Sequence, residues 1–370
     1  MMNIIQTIII RYNNFLIKRY RYKQYKEFSS KFKQLIALHR FENKKAEGED
    51  EYIHKWSILS TRVEPYSYRF FCHYCGHTPN IIPEDIGRTI VEEILNPKKY
   101  RDTYADKNLF PRIIGEQFVP RTIICRINGR MLLDSNYNAA DEDLETYIGD
   151  ATSLILKPTI DTHSGQGIIK FDKKENTFVS PGQKDILSKE FLMTYGRDFC
   201  LQEAVKQHHF MDSLCSTSVN TIRLCLYRSV INNEPIVTAS LIRIGKKGSF
   251  VDNALSGGVL IGVDLATGEL GKFVVDQYGN KQNTWNNVDF SNNTFVVPNW
   301  DKVIDFAKYI GGRILHHRLI ALDIALKEDG NPIMIEYNIN AFGYWAFMLV
   351  NQEVLGKYTD EVIDYCKMMK

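Results

Sequence analysis

Asp323, Glu336 and Asn338 are the residues of this chain whose types and spacing point most directly to chemistry. They lie in LIALDIALKEDGNPIMIEYNIN, residues 319–340, which reads as two apolar strands joined by a tight turn. Asp329-Gly330 predicts a two-residue type I′ hairpin loop, because that turn needs positive φ at both central positions. Counting back from it, Glu328 faces Asn331 and Asp323 falls directly opposite Glu336. Opposed residues share a face with Cβ atoms about 5 Å apart, and strand alternation puts Asn338 on that face one pleat along. Two carboxylates held together among Ile, Leu and Met repel each other unless something positive lies between them. A hard divalent cation on oxygen ligands, Mg²⁺ holding a substrate phosphate, resolves the conflict. The rival is an ordinary surface hairpin, which the apolar flanks of both strands disfavour.

A second stretch, LILKPTIDTHSGQGIIKF at residues 154–171, offers a phosphate cradle. A strand ends at Lys157, small polar residues follow, and Gly165 and Gly167 lead into another strand. The stretch lacks the Walker pattern, and its glycines precede a strand where a dinucleotide fingerprint needs a helix. A strand–glycine loop–strand flap can instead fold over a triphosphate and offer unobstructed backbone N–H groups. Lys157 would add a point charge. A glycine hairpin without special purpose is the rival. Two further basic residues, Arg223 and Arg243, stand in apolar strands (SVNTIRLCLYRSV and EPIVTASLIRIG) that pair around Asn232-Asn233. A guanidinium there needs an anion, either a bound ligand or a structural carboxylate. The glycine-rich segment 248–262, with Asn253, Ser256, Gly257 and Gly258, lets backbone approach a ligand closely.

The positioning elements follow from pattern. Helices are expected over 3–45, 83–100, 301–317 and 358–369, and short strands at RTIICRI, RMLL and FCLQEAV. In FCLQEAV the apolar pattern breaks at Gln202-Glu203. Cys72-His73-Tyr74-Cys75-Gly76-His77 resembles half a zinc site, but the later cysteines never repeat the spacing, so packed thiols are expected. His208-His209 and His316-His317 read as cap or surface residues.

The 370 residues are 44% hydrophobic, enough for two or three globular units. The net charge of +2 hides an asymmetry: residues 1–45 hold eleven Lys/Arg against two Glu, a net of +9, which leaves −7 for the rest. No apolar run approaches the roughly 20 residues of a membrane span, and Asn3–Ile10 lacks the order of a signal peptide. Seven scattered cysteines fit free thiols in a reducing cytoplasm. The basic N-terminal helix has two readings: peripheral contact with an anionic membrane, or packing on the main body. Nucleic acid is disfavoured, because the remainder is acidic and carries no recognition motif.

The order of these features resembles the ATP-grasp superfamily: Lys-Pro before a glycine flap, Gln-Glu-Ala-Val, Asn-Thr-Ile-Arg, then Asp323 and Ile-Glu-Tyr-Asn. Asp-Lys-Asn at 106–108, SVNTIRL at 218–224 and RIG…VDN…GG at 243–258 resemble its sugar-transfer-associated branch, related to α-L-glutamate ligases and found with bacterial surface-polysaccharide genes. The resemblance covers about residues 60–365. It implies an α+β ATP-grasp fold: a basic helical segment (1–48), a helical region (49–105), a lid subdomain (106–205) and a C-terminal subdomain with the metal site (206–370). It further implies that Lys107 and Lys157 contact ATP phosphates under the flap at Ser164, Gly165 and Gly167. Gln202, Glu203 and Val205 would line the adenine and ribose pocket. Asp323, Glu336 and Asn338 would hold one or two Mg²⁺, with Mn²⁺ as a substitute. Arg223, Arg243 and Asn253 would serve the γ-phosphate, the anionic intermediate and the acceptor side. The implied reaction joins a carboxylate substrate to an amine acceptor. A small-molecule or sugar kinase and a non-catalytic nucleotide-binding scaffold are the alternatives. Two departures stand out: Ile339-Asn340-Ala341-Phe342-Gly343 replaces a common Pro-Gly, and Ala321 stands where some peptide ligases carry Arg.

Overall fold

A computed structural model describes residues 2–160 and 165–370. Two antiparallel sheets organise the chain. The first has six strands: β1 (Thr122–Arg126), β2 (Leu132–Leu133), β3 (Ser153–Pro158), β4 (Ile169–Lys174), β5 (Thr177–Val179) and β6 (Phe199–Glu203), in the order β2-β1-β6-β3-β4-β5. The second comprises β7 (Thr221–Arg228), β8 (Pro235–Ile244), β9 (Val259–Gly262), β10 (Val274–Val275) and β11 (Lys281–Gln282). After the small pair β12 (Thr284–Trp285) and β13 (Val288–Asp289), it is completed by β14 (Leu319–Leu326) and β15 (Pro332–Asn338). Its order is β11-β10-β9-β8-β7-β14-β15.

Both faces of the second sheet are covered, which explains why β14 is buried along its whole length. One face, carrying Ile222, Leu224, Ile320 and Leu322, packs on the helix Trp300–Arg313. The other, carrying Cys225, Tyr227, Leu319 and Ala321, packs under a helical layer. That layer contains α1 (Met2–Leu38), α2 (Glu49–Ser57), α3 (Tyr66–Cys75) and the run from Glu84 to Leu95, whose middle turn Gly87–Val91 is a π-helix. Cys72 and Cys75 lie on α3, where their thiols donate to the carbonyls of Arg69 and Met348.

The predicted helix 301–317 ends earlier, at Arg313. His317 lies beyond it and is fully buried, so the surface or cap reading fails for this residue. Burial, reinforced by Arg101 and His316 and opposed by a backbone contact with Pro97, pushes its pKa down to about 4. His208 does cap a helix, its Nδ1 accepting from the Phe210 N–H.

The hairpin β14–β15 also differs from expectation. Lys327 pairs with Asn331 around a three-residue loop, with Gly330 alone at positive φ. This is the longer turn that ends in a left-handed glycine, not type I′. The extra loop residue is offset by a bulge at Ile335, so Asp323 still pairs with Glu336 while Ile324 pairs with Met334.

Candidate active site

The face of the second sheet that is apolar at Cys225 and Tyr227 turns polar two residues earlier, at Thr221 and Arg223. Cross-strand registers put Arg223 beside Asp323, Asp323 beside Glu336, and Arg243 beside Thr221. There the helical layer gives way to a cavity of about 850 Å³. From the first sheet, Lys157 reaches the same cavity because it points opposite to Leu154 and Leu156, which fill that sheet's own core. Lys107 joins it from a short turn. Asp106 caps that turn by accepting from Asn108 N–H, and the Lys107 N–H donates to the Thr159 carbonyl. Gly165, at φ 76°, brings the flap to the cavity rim.

Charge decides what this cavity can hold. Arg223 grips Asp323 bidentately at 2.7 and 2.6 Å, and Arg243 adds a third bond at 3.1 Å. Burial alone would push the Asp323 carboxyl up, yet the two guanidinium groups outweigh it and hold the pKa below the usual carboxylate range. Arg243 also pairs with Asp252 at 3.0 Å, and Asp252 accepts from the backbone and hydroxyl of Thr221. Glu336 is freer: its nearest cation is Lys107, at 3.9 Å. Lys157 is buried, and among the described residues its ammonium makes no hydrogen bond or ion pair. Burial lowers its pKa, with Lys107 adding to the effect and Cys200 and Glu336 opposing it. A buried cation without a counter-ion is costly, so the wall is arranged for an anion that arrives from outside. Among the described residues, seven Lys/Arg and four Asp/Glu line the cavity, a net of +3.

Of the residues singled out from sequence, Lys107, Lys157, Gly165, Arg223, Arg243, Asn253, Asp323, Glu336 and Asn338 line this one cavity. Ser164 falls outside the described residues. Gln202, Glu203 and Val205 do not line it. Gln202 is buried with its amide donating to Pro120 O and Thr122 Oγ1, and Glu203 pairs with Arg121 at 2.9 Å. Gly167 sits behind the rim, its carbonyl accepting from the Tyr195 hydroxyl. Asn253 caps the turn Ala254–Ser256, its Oδ1 accepting from Leu255 N–H. The nearby glycines serve backbone packing: a Cβ on Gly258 would stand 2.6 Å from the Asp252 carbonyl.

Sequence reasoning missed several lining residues. Asp252 belongs to the Val-Asp-Asn already noted, and its pairing with Arg243 could have been asked of any buried guanidinium. Arg88, Lys98 and Arg101 come from the helical region, where no spacing ties them to the sheet. Glu92 is buried and fixes the loop that departs from the usual Pro-Gly, accepting from the N–H groups of Ala341 and Phe342 at 2.7 and 3.0 Å.

Glu336 and Asn338 place oxygen atoms on adjacent pleats, with the Asp323 carboxylate beside them. The set fits a Mg²⁺ that shares its ligands with phosphates, since such sites use one or two carboxylates and leave the remaining positions to substrate and water. A buried lysine facing a carboxylate hairpin across a cleft between two antiparallel sheets, with a glycine flap at the rim, is the arrangement of the ATP-grasp fold. Residues 88–363 match the sugar-transfer-associated ATP-grasp family, and the chain belongs to that family. Among solved structures it is similar to a D-cycloserine synthetase (12% identity, 74% of this chain and 73% of the other, TM-score 0.40). It is also similar to a D-alanine–D-alanine ligase from Bacillus anthracis (11%, 71% and 66%, TM-score 0.37). A third is an L-amino acid ligase from Bacillus licheniformis (11%, 69% and 48%, TM-score 0.35). No curated protein matches the sequence.

Proposed function

We propose that this chain is an ADP-forming ligase that uses ATP and Mg²⁺ to join a carboxylate to an amine through an acylphosphate, acting on a component of a bacterial surface polysaccharide. The observation that carries the reading is the unpaired Lys157 ammonium facing the Asp323/Glu336 hairpin across one cavity. In this reading residues 106–205 form a lid over the body at 206–370, and closure keeps water from the reactive intermediate. Lys107 and Lys157 hold the triphosphate. Mg²⁺ on Glu336, Asn338 and Asp323 supplies neutralisation of the phosphate charge. A carboxylate oxygen attacks the γ-phosphorus as the bond to the departing ADP breaks. The amine then attacks the acyl carbon, loses a proton, and phosphate leaves. Arg243, held between Asp252 and Asp323, keeps its fork fixed at the cavity wall, where it can stabilise the developing oxyanion. Gln202, Glu203 and Val205 are assigned to the hinge beside the adenine, and Asn253 to the acceptor side.

The test is trapping. Amino acids and uronic-acid-containing nucleotide sugars are screened for ADP release, with hydroxylamine in place of the natural amine. A hydroxamate accumulating with ADP supports the ligase; a phosphorylated sugar without hydroxamate replaces it by a kinase.

A further inference from the structure

The helix α1 carries two stripes that face opposite ways. In its C-terminal half, Gln24, Phe28, Phe32, Leu35 and Ile36 are buried against the body. In its N-terminal half, Ile5, Ile8, Ile9, Tyr12, Phe15 and Leu16 are between 41% and 60% exposed. Their spacing, with steps of three and four, gathers them into one apolar stripe. At about 100° per residue, this stripe lies roughly 180° from the buried one. The body grips one side of the rod and the denser apolar stripe points away from it, while Ile10 and Ile17, also exposed, lie on the opposite side.

The charges identify what covers that stripe. Arg19, Lys23 and Lys26 are exposed and continue the same face towards the body. From residue 2 to residue 26 the helix holds six Lys/Arg and no Asp or Glu. Two copies laid stripe to stripe in parallel would bring these like charges together with no acid to pair them. An anionic bilayer instead offers acyl chains to the apolar stripe and phosphates to the basic residues. No helix among the described residues is long and apolar enough to cross a membrane, so the rod lies on the surface. The remainder of the chain carries a net −7 and adds no attraction of its own.

We propose that α1 seats the protein on an anionic lipid surface, its N-terminal apolar stripe in the headgroup region and its C-terminal half holding the body on the far side. This surface is distinct from the nucleotide cavity. The test uses the full chain, sedimented with mixed phosphatidylglycerol–phosphatidylcholine vesicles and with phosphatidylcholine alone. The variants are Ile9→Asn/Leu16→Asn and Arg19→Gln/Lys23→Gln/Lys26→Gln. The parent should bind the mixed vesicles, more weakly as salt rises, and fail to bind the neutral ones. The basic variant should lose roughly 10²-fold in partitioning, from three charges near the surface. The apolar variant should lose at least about tenfold. Circular dichroism should be unchanged in both, because all five positions are exposed. Equal binding by parent and variants would overturn the proposal. So would a parent that ignores mixed vesicles, or one that forms a dimer in sedimentation velocity which Ile9→Asn/Leu16→Asn abolishes.

Discussion

Asp323 and Glu336 face each other across one pair of strands, yet they carry different duties. Asp323 is 1% exposed and holds two guanidinium groups, so Asp323→Asn leaves Arg223 without its counter-ion and Arg243 with Asp252 alone. Breaking a buried pair in this way costs about 3 kcal/mol or more, which confounds any reading of activity. Glu336 is the informative position, because its side chain is 32% exposed and its ion pair with Lys107 is long, at 3.9 Å. Glu336→Gln should keep the melting temperature and abolish Mg²⁺-dependent ADP formation; full activity would remove it from the metal site. Lys157→Gln takes away a buried cation that has no partner among the described residues. Its stability in urea should hold or rise, while ATP affinity measured by calorimetry falls by roughly ten- to a hundredfold, the worth of one charge-assisted bond. Unchanged affinity would place the phosphates elsewhere.

At the scale of elements, the sequence was legible where one period dominated. The two strands of the 319–340 hairpin, the flap strands around Gly165 and the β7–β8 pair are all formed by the residues that predicted them. The turn was not legible, because Asp-Gly serves both a two-residue loop and the last two positions of a three-residue one. The bulge at Ile335 was equally hidden, since Met334 and Ile335 are both apolar and either could face the core. The two errors cancel at Asp323 and Glu336 but not at Met334, which the simple register puts on the cavity face and the structure buries on the other. The loop glycine has its own test. At φ 74° a Cβ on Gly330 would stand 2.4 Å from Asn299 Nδ2. Gly330→Ala should therefore cost about 1 kcal/mol or more in urea denaturation and leave ADP formation intact; a neutral effect would mean the loop relaxes freely. The two stripes of α1 were blurred for a similar reason, since they cancel when averaged over one long helix.

At the scale of the whole molecule, the second of the two sheets is covered on both sides, and its helical cover carries charge that no local pattern announced. Glu84 and Asp85 sit in that cover, each with one carboxylate oxygen that finds no partner among the described residues, and burial pushes the pKa of each up to about 7. Both bind a proton more tightly folded than unfolded, where carboxylates titrate near about 4. Their contribution is therefore complete in acid and is lost as pH rises from about 4 through about 7. Asp85→Asn should flatten that part of the urea midpoint profile; an unchanged slope would show that the carboxyl is ionised in the fold. The proposed reaction passes the γ-phosphoryl group of ATP to a carboxylate within one cavity. The direct measurement uses the carboxylate substrate identified by ADP release, labelled with heavy oxygen in its carboxyl group, and follows the phosphate by NMR. Attack of a carboxylate on the γ-phosphorus followed by an amine carries one labelled oxygen into the phosphate released, and that transfer is the expected result. Phosphate that remains unlabelled while product forms would contradict it.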